Sequence, residues 1–369
     1  MTQSNKLISK PDAKRILVMR YRFIGDTILT VPFLRNLRYN YPDAKIDVLV
    51  GPQSGSVLEG CPYINELITF DTTRFHKYDS GTNKPKNFFA YALDLAKRRY
   101  DTVFVLKRSL SSAILALLTG AKNRIGYATE GRDLLLTHKV KWDKNKHEVP
   151  STLDVLECAG LTIKDNYMEA WPSQDEINSV RAKVPELGNF GKNQSGDTTD
   201  QNAQVCKLKV LIHAAAAHPD KMYPLELWAK VVQQIAKEKP IELYFTGGAA
   251  DKDLYKKLED LAGIKGHNLA GQLSLRESLA LYAHMNLAIC VDSGPAHLCS
   301  AANVPTITLF GPTDPERWRP WGEKHQAIYD ESLACRPCNY KKTCSNRECL
   351  TELNPEKVAR AALASISQY

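Results

Sequence analysis

The stretch RILVMRYRFIGDTILTVPFLRNLRYNY, Arg15 to Tyr41, decides how the chain is read. RILVMRY (15–21) has the apolar run of a buried strand, and TILTVPFLRNLRYNY (27–41) has apolar residues at helical spacing. The turn between them, RYRFIGDT (20–27), has the position of a nucleotide-binding turn but not its chemistry. Such a turn needs glycines for tight bending, for approach to pyrophosphate and for helix–strand packing. Only Gly25 is present, and Asp26 would repel a phosphate at that helix N-terminus. Asp26 therefore has two readings. It is either an N-cap satisfying orphan amides, or a general base at the carboxyl edge of a parallel sheet, where open α/β folds bind ligands.

Working outward, apolar β-rich runs alternate with helical patterns almost throughout. KIDVLVG (45–51), INELITF (64–70) and DTVFVLK (101–107) are expected strands; NFFAYALDLAKRR (87–99) and SSAILALLTGA (111–121) are expected helices. A second series follows, with strands at 209–215, 241–248, 287–293 and 306–312 and helices at 224–238, 252–262, 274–285 and 295–303. Strands separated by helices imply right-handed crossovers and mostly parallel sheets. Between the two series lies GNFGKNQSGDTTDQNAQ, polar and poor in anything to bury. The expectation is a first domain over 1–187, a linker or loop over 188–206 and a second domain over 207–350. The final helical pattern, 351–369, is assigned to neither.

At 369 residues the chain has room for two cores, and 43% hydrophobic with 24% charged residues is ordinary for a globular protein. The opening MTQSNKLISKPDAKR lacks the apolar centre of a signal peptide, and no run approaches the ~20 apolar residues that span a bilayer. A cytoplasmic setting is expected. The formal net charge is +8, with clusters at Lys97-Arg98-Arg99, Lys107-Arg108 and Lys341-Lys342. No nucleic-acid module accompanies them, so the charge is either a solvated surface or suits an anionic substrate.

Three further features bear on chemistry. In VDSGPAHLCSAA (291–302) a strand ends at Asp292, and Ser293, Gly294 and Pro295 lead into a helix carrying His297. Such a turn aims backbone N–H groups, a hydroxyl and a helix dipole at an anion; a capped helix with a packed histidine is the alternative. Asp292 suits a sugar hydroxyl or an amide better than a phosphate. In HAAAAHPDKMYPLELW (213–228), Lys221 lies in a strand-to-helix loop, either a surface lysine or a neutraliser of a diphosphate leaving group. The acids of DKD (251–253) open a helix and read as capping rather than metal binding.

Taken together these stretches resemble glycosyltransferase family 9, the heptosyltransferases of lipopolysaccharide synthesis. The likeness runs in order from about Arg15 to Pro320, through YDTVFVLKRSLSSAILALLTGAKNRIGY, DKMYPLELWAKVV, YFTGGAADKD and DSGPAHL with downstream LFGPTDP. The resemblance implies a GT-B fold, two Rossmann-like α/β domains with parallel sheets facing across a cleft. It implies inverting, metal-independent transfer, with the first domain binding the acceptor and the second a nucleotide sugar, usually ADP-heptose. It assigns the base to Asp26, with Gly25 on the acceptor side. Donor contacts fall on Lys221, Asp292, Ser293, Gly294 and His297, with Leu273 lining the nucleoside site. The implied acceptor is an anionic lipid-linked core oligosaccharide at the cytoplasmic face of the inner membrane; no nucleic acid is implied. In one respect the chain departs from the pattern. Relatives commonly carry a Ser or Thr four positions before the lysine, where this chain has Ala217.

Nine cysteines are present, five of them, including Cys290 and Cys299, expected to be reduced core residues. The other four, Cys335, Cys338, Cys344 and Cys349, lie in CRPCNYKKTCSNREC. Only the first pair has metal-ligand spacing, so a structural zinc, reduced thiols and disulfides all stay open.

Overall fold

The computed structural model describes residues 10–21, 23–71, 87–187, 207–340, 344 and 346–366. The polar segment 188–206 and the pair Lys341-Lys342 lie outside the described residues. The chain divides into two compact units, Met1–Trp171 and Pro172–Tyr369.

In the first unit, strands β1 (Arg15–Met19), β2 (Lys45–Val50), β3 (Glu66–Thr69), β4 (Thr102–Val105), β5 (Asn123–Tyr127) and β6 (His138–Val140) form one sheet in the order β3-β2-β1-β4-β5-β6. Every pairing is parallel, with Val18 opposite both Val48 and Phe104. The helices are α1 (Ile24–Ile28), α2 (Val31–Asn40), α3 (Phe88–Lys97) and α4 (Leu110–Leu118), which connect strands, and α5 (Glu148–Cys158), which follows the last one. The helix expected over 27–41 is thus two helices, with Pro32 in the first turn of the second, where its missing N–H costs nothing. Helix α2 buries Val31, Phe33, Leu34 and Leu37 against the sheet, and Phe33 meets Phe104 edge-to-face at 5.4 Å.

The second unit opens with α6 (Gln174–Lys183), which the sequence places with the first domain. Its contacts explain the difference. Ser173 and Glu176 form a capping box, Glu176 pairs with Arg276 at 2.8 Å, and Lys183 pairs with Glu277 at 2.7 Å. Strands β7 (Leu208–His213), β8 (Ile241–Phe245), β9 (Gly266–Asn268), β10 (Leu287–Val291), β11 (Thr306–Leu309) and β12 (His325–Ile328) form a sheet in the order β12-β11-β10-β7-β8-β9, again all parallel. Counted from its own first strand, this is the order of the first sheet. Its helices are α7 (Leu225–Glu238), α8 (Lys252–Ala262), α9 (Leu275–Tyr282), α10 (Gly294–Ala301), α11 (Pro315–Trp318), α12 (Glu348–Thr351) and α13 (Pro355–Ile366). Trp228, Val231, Val232 and Ile235 recur at helical spacing on α7 and enter the core with Val358, Ala359 and Ala362 of α13. The Tyr223 hydroxyl donates to the Leu353 carbonyl at 2.6 Å. The C-terminal helix therefore belongs to the second unit.

In each sheet the chain reverses direction between the first and fourth strands. A crevice opens there beyond the carboxyl ends, the usual place for a ligand in open α/β sheets. RYRFIGDT follows β1 and Lys107-Arg108 follows β4; the Lys221 loop follows β7 and DSGPAH follows β10. Both pairs of loops stand at such a point.

Candidate functional site

In the first unit the backbone turns at Phe23, whose φ of 57° is left-handed. Phe23 is also the N-cap position of α1, with no side-chain capping bond. Two expectations change here. Asp26 is the third residue of the helix rather than its cap, and Gly25 lies inside α1 without a positive φ.

Asp26 is held by a buried charge cluster. Its Oδ1 lies 3.2 Å from Arg20 Nη2, and the same nitrogen lies 2.8 Å from Glu148 Oε1. Arg20 Nε donates to the Asp26 carbonyl at 3.2 Å, and Nη1 donates to the Leu106 carbonyl at 3.1 Å. From the β4 loop, Arg108 Nη1 reaches both Glu148 oxygens, at 3.1 and 3.3 Å. The Glu148 side chain is 0% exposed, whereas Asp26 keeps 20% open to solvent. Burial pushes the Asp26 carboxyl above the usual range; Arg20 opposes that and the Glu148 charge adds to it. The cluster presents one reachable carboxylate with raised proton affinity, fixed in direction by a guanidinium. That is the equipment of a general base.

In the second unit a short 3-10 turn, Pro219–Lys221, presents the lysine. Its Nζ lies 2.7 Å from Asp292 Oδ2, which also accepts from Thr313 Oγ1 at 2.5 Å. Asp292 is thus engaged by a lysine and a threonine, not reserved for a sugar hydroxyl or amide. The pairing points Lys221 without exhausting it, since an ammonium has three donors. Ser293 holds the N-cap position of α10 but donates back to the Val291 carbonyl at 3.2 Å, so no side chain caps the first turn. His297 is buried, and burial pushes its ring down to about 4, leaving it neutral near pH 7. Among the described residues its Nδ1 has no hydrogen-bond partner. A lysine, a helix N-terminus and an unsatisfied imidazole are a donor set of the chemistry that suits a phosphate group.

Lys221, Asp292, Ser293, Gly294 and His297 are therefore brought together on the loops of β7 and β10. Leu273 is placed differently, half-buried in the turn after edge strand β9, two strands from β7. Asp251, from DKD, accepts from the Gly248 amide at 2.8 Å and caps its turn as expected.

The cysteine-rich segment lies across these donor loops. Arg336 donates to the carbonyls of Gly311 at 2.7 Å and Asp330 at 3.0 Å, and Arg347 to that of Pro219 at 2.8 Å. Tyr340 stacks against His218 with centroids 4.3 Å apart. All eight described cysteines are free thiols. Among the described residues no three His, Cys, Asp or Glu side chains are grouped to hold a metal.

The sequence does not mark Arg20, Glu148, Thr313 or Arg336 as candidate site residues, and it marks Arg108 only as part of a basic cluster. Glu148 pairs across 128 positions to Arg20, and its only local signal is an acid in the first turn of a helix.

Two units of this topology, joined in one chain, define the GT-B class of glycosyltransferases. Within that class the chain belongs to glycosyltransferase family 9: the sequence model described as glycosyltransferase family 9 (heptosyltransferase) matches residues 89–349. Lipopolysaccharide heptosyltransferase 3 of Escherichia coli is 31% identical over 310 residues, covering 81% of this chain and 84% of the relative. Lipooligosaccharide heptosyltransferase 2 of Campylobacter jejuni serotype O:6 is 30% identical, covering 93% and 96%. Among solved structures, the family 9 glycosyl transferase from Veillonella parvula superposes with a TM-score of 0.79 at 21% identity, covering 99% of this chain and 100% of that one. ADP-heptose lipopolysaccharide heptosyltransferase II of E. coli gives 0.71 at 21% identity, covering 96% and 99%. The protein is a glycosyltransferase.

Proposed function

We propose that the protein transfers a heptose from ADP-heptose to a lipopolysaccharide inner-core acceptor with inversion at the anomeric carbon. The observation that carries the base assignment is the Asp26 carboxylate, raised by burial and aimed by Arg20 at the carboxyl edge of β1. An unperturbed aspartate, with a pKa near ~3.9, is a weak base at pH 7, and the raised value improves the match.

In this mechanism Asp26 takes the proton of an acceptor hydroxyl as that oxygen bonds to the anomeric carbon. The bond from that carbon to the diphosphate oxygen breaks, and ADP leaves with the electron pair. One displacement inverts the centre. The Lys221 ammonium, the first-turn amides of α10 and a neutral His297 N–H receive the charge of the leaving group, and the scheme requires no metal ion. Leu273 lines the nucleoside end of the site. Gly25, beside the base and without a side chain, leaves room for the acceptor. A solved neighbour supports the donor: it is described as an E. coli heptosyltransferase with ADP-2-deoxy-2-fluoro heptose. We place the enzyme in the cytoplasm, peripheral to the inner membrane, where a lipid-linked acceptor would be met. Among the described residues no helix is long and apolar enough to cross a membrane.

The test is Asp26→Asn assayed with ADP-heptose and a deacylated core acceptor. Transfer should fall by about 10²–10⁴-fold while calorimetric ADP affinity holds. Retained turnover would remove Asp26 as the base. Transfer from another nucleotide sugar but not from ADP-heptose would correct the donor.

A further inference from the structure

The first unit carries an apolar face that the transfer chemistry leaves unused. Helix α4, LSSAILALL, contains no charged residue, although an amphipathic surface helix ordinarily turns charge outward. Its outward side bears Leu110, Ile114, Leu117 and Leu118, at spacings of four, three and one, all exposed. Helix α3 packs beside it and exposes Phe89 (71%) and Leu93, one turn apart. The 3-10 turn Arg132–Leu135 packs against α4 and exposes Leu134 (84%). This turn is pinned there, because Arg132 Nη1 donates to the Lys107 carbonyl at 2.9 Å. Seven of the large exposed apolar side chains thus fall on three adjoining elements, and scattered single leucines would need no such explanation.

The charge around them is mostly positive, although Lys139 also pairs with Asp133 of the turn at 3.9 Å. Between residues 87 and 142 there are ten Lys and Arg against four acids, Asp94, Asp101, Glu130 and Asp133. Lys97 and Arg99 close α3, Lys122 follows α4, and Lys139 lies beyond the turn, all exposed. Asp101 is occupied inside the fold, accepting from the Lys14 and Arg15 amides at 2.9 and 2.8 Å. Leucine and phenylalanine within a cationic margin match the boundary between acyl chains and anionic headgroups. A second copy of the same face would instead bring like charges together. The face also adjoins the acceptor side, since Leu110 follows Arg108, which pairs with Glu148 beside Asp26.

We propose that α3, α4 and the 132–135 turn form the surface by which the protein seats on an anionic bilayer, with Phe89, Leu93, Leu117, Leu118 and Leu134 entering the headgroup boundary. This rests on the lipid-linked acceptor assigned above and adds the residues that meet the lipid. Seating beside the Asp26 loop lets a core sugar reach the base while its lipid anchor stays in the membrane.

The experiment is co-sedimentation of the full chain with vesicles of phosphatidylethanolamine and phosphatidylglycerol, with phosphatidylcholine vesicles as control. Wild-type protein should bind the anionic vesicles, release in high salt, and bind phosphatidylcholine weakly. F89E/L134E, at the two most exposed positions, should lose about tenfold or more in vesicle affinity. It should keep its melting temperature and its transfer to a water-soluble deacylated acceptor. K97E/R99E should lose binding to anionic vesicles only. Failure of the wild type to bind, or unchanged binding by F89E/L134E, overturns the proposal. So does a change of oligomeric state in F89E/L134E, which would make the face a contact between copies. Vesicle binding is read without turnover, so an error in the assigned donor would appear in the transfer assay and leave this result standing.

Discussion

At Arg20 one guanidinium touches two carboxylates with unequal fates. Glu148 is fully buried and held by Arg20 and Arg108, whereas Asp26 is partly open and held by Arg20. The Glu148 charge works against ionisation of Asp26, as does burial, while Arg20, Arg108 and Lys107 favour it. In the proposed mechanism Glu148 is therefore a positioning residue that also raises the proton affinity of Asp26. In Glu148→Gln the raising charge is gone and Arg20 is freed to turn toward Asp26, so both effects lower the Asp26 pKa. The acid limb of kcat/KM should move to lower pH, and the plateau rate should fall because a less basic carboxylate is a weaker proton acceptor. A pH–rate profile on the soluble acceptor checks it; an unmoved acid limb would mean that Asp26 does not titrate in the rate. Asp26 also has a stability signature. A carboxyl whose folded pKa is raised stabilises the fold only while protonated, and that contribution is lost as pH rises through the folded value. The Asp26→Asn variant should thus melt no lower than wild type at pH 7, which separates lost chemistry from lost folding.

At the scale of elements, the donor turn is built by the loops that face it. Arg336 spans the Gly311 and Asp330 carbonyls, and Thr313, two residues from Gly311, donates to the Asp292 oxygen that holds Lys221. Arg336→Ala should cost about 1–3 kcal/mol of stability by leaving carbonyls unpaired. It should also weaken ADP binding, because the Thr313 loop loses its brace. Denaturant titration and calorimetry read the two effects, and a stability loss with unchanged ADP affinity would confine the segment to folding. This brace was not legible in CRPCNYKKTCSNREC, where the cysteines drew attention and the arginine makes the contacts. The same divide runs through the fold. Central strands β1, β2, β4, β7, β8, β10 and β11 were legible as apolar runs, because both their faces are covered. Strands NRIGY, HKV, GHN and HQAI, the last three at sheet edges, are short and polar, and nothing in their local pattern marks them, whereas the apolar edge strand ELIT was marked. Candidate site residues were legible where the segment just after a strand places them, as with Asp26, Lys221 and Asp292. They were illegible where a distant helix delivers them, as with Glu148.

Across the whole molecule, the two units share a strand order but load histidines differently: in the first unit burial lowers the ring of His138, and in the second it lowers four. His213, His297 and His325 are buried in the second unit, and burial pushes each ring down to about 4; His284, half-buried there, moves the same way. His213 ends β7 and His297 lies in the first turn of α10, so the neutral imidazoles beside the proposed donor loops also load one unit with acid sensitivity. The sign follows from proton counts. Unfolded histidine takes up a proton near pH ~6.5 and the folded ring only near 4, so between these values the unfolded state binds more protons. Stability is then lost as pH falls from about 6.5 toward 4, by an upper bound on the order of 1–2 kcal/mol for each fully buried ring between pH 7 and pH 5. The lowered carboxyls of Glu176 and Glu277, tied to Arg276 and Lys183 at the α6–α9 contact, begin to lose their contribution only below about 4.5, so they add nothing between pH 7 and pH 5. Calorimetry at pH 7 and pH 5 should therefore show the transition of the second unit moving down further than that of the first. Saturating ADP at pH 7 should raise the same transition selectively, because a ligand stabilises the unit that holds it. Equal acid shifts in both transitions would show that these imidazoles are not held neutral by the fold, and the assignment of an uncharged His297 to the donor phosphate would fall with them.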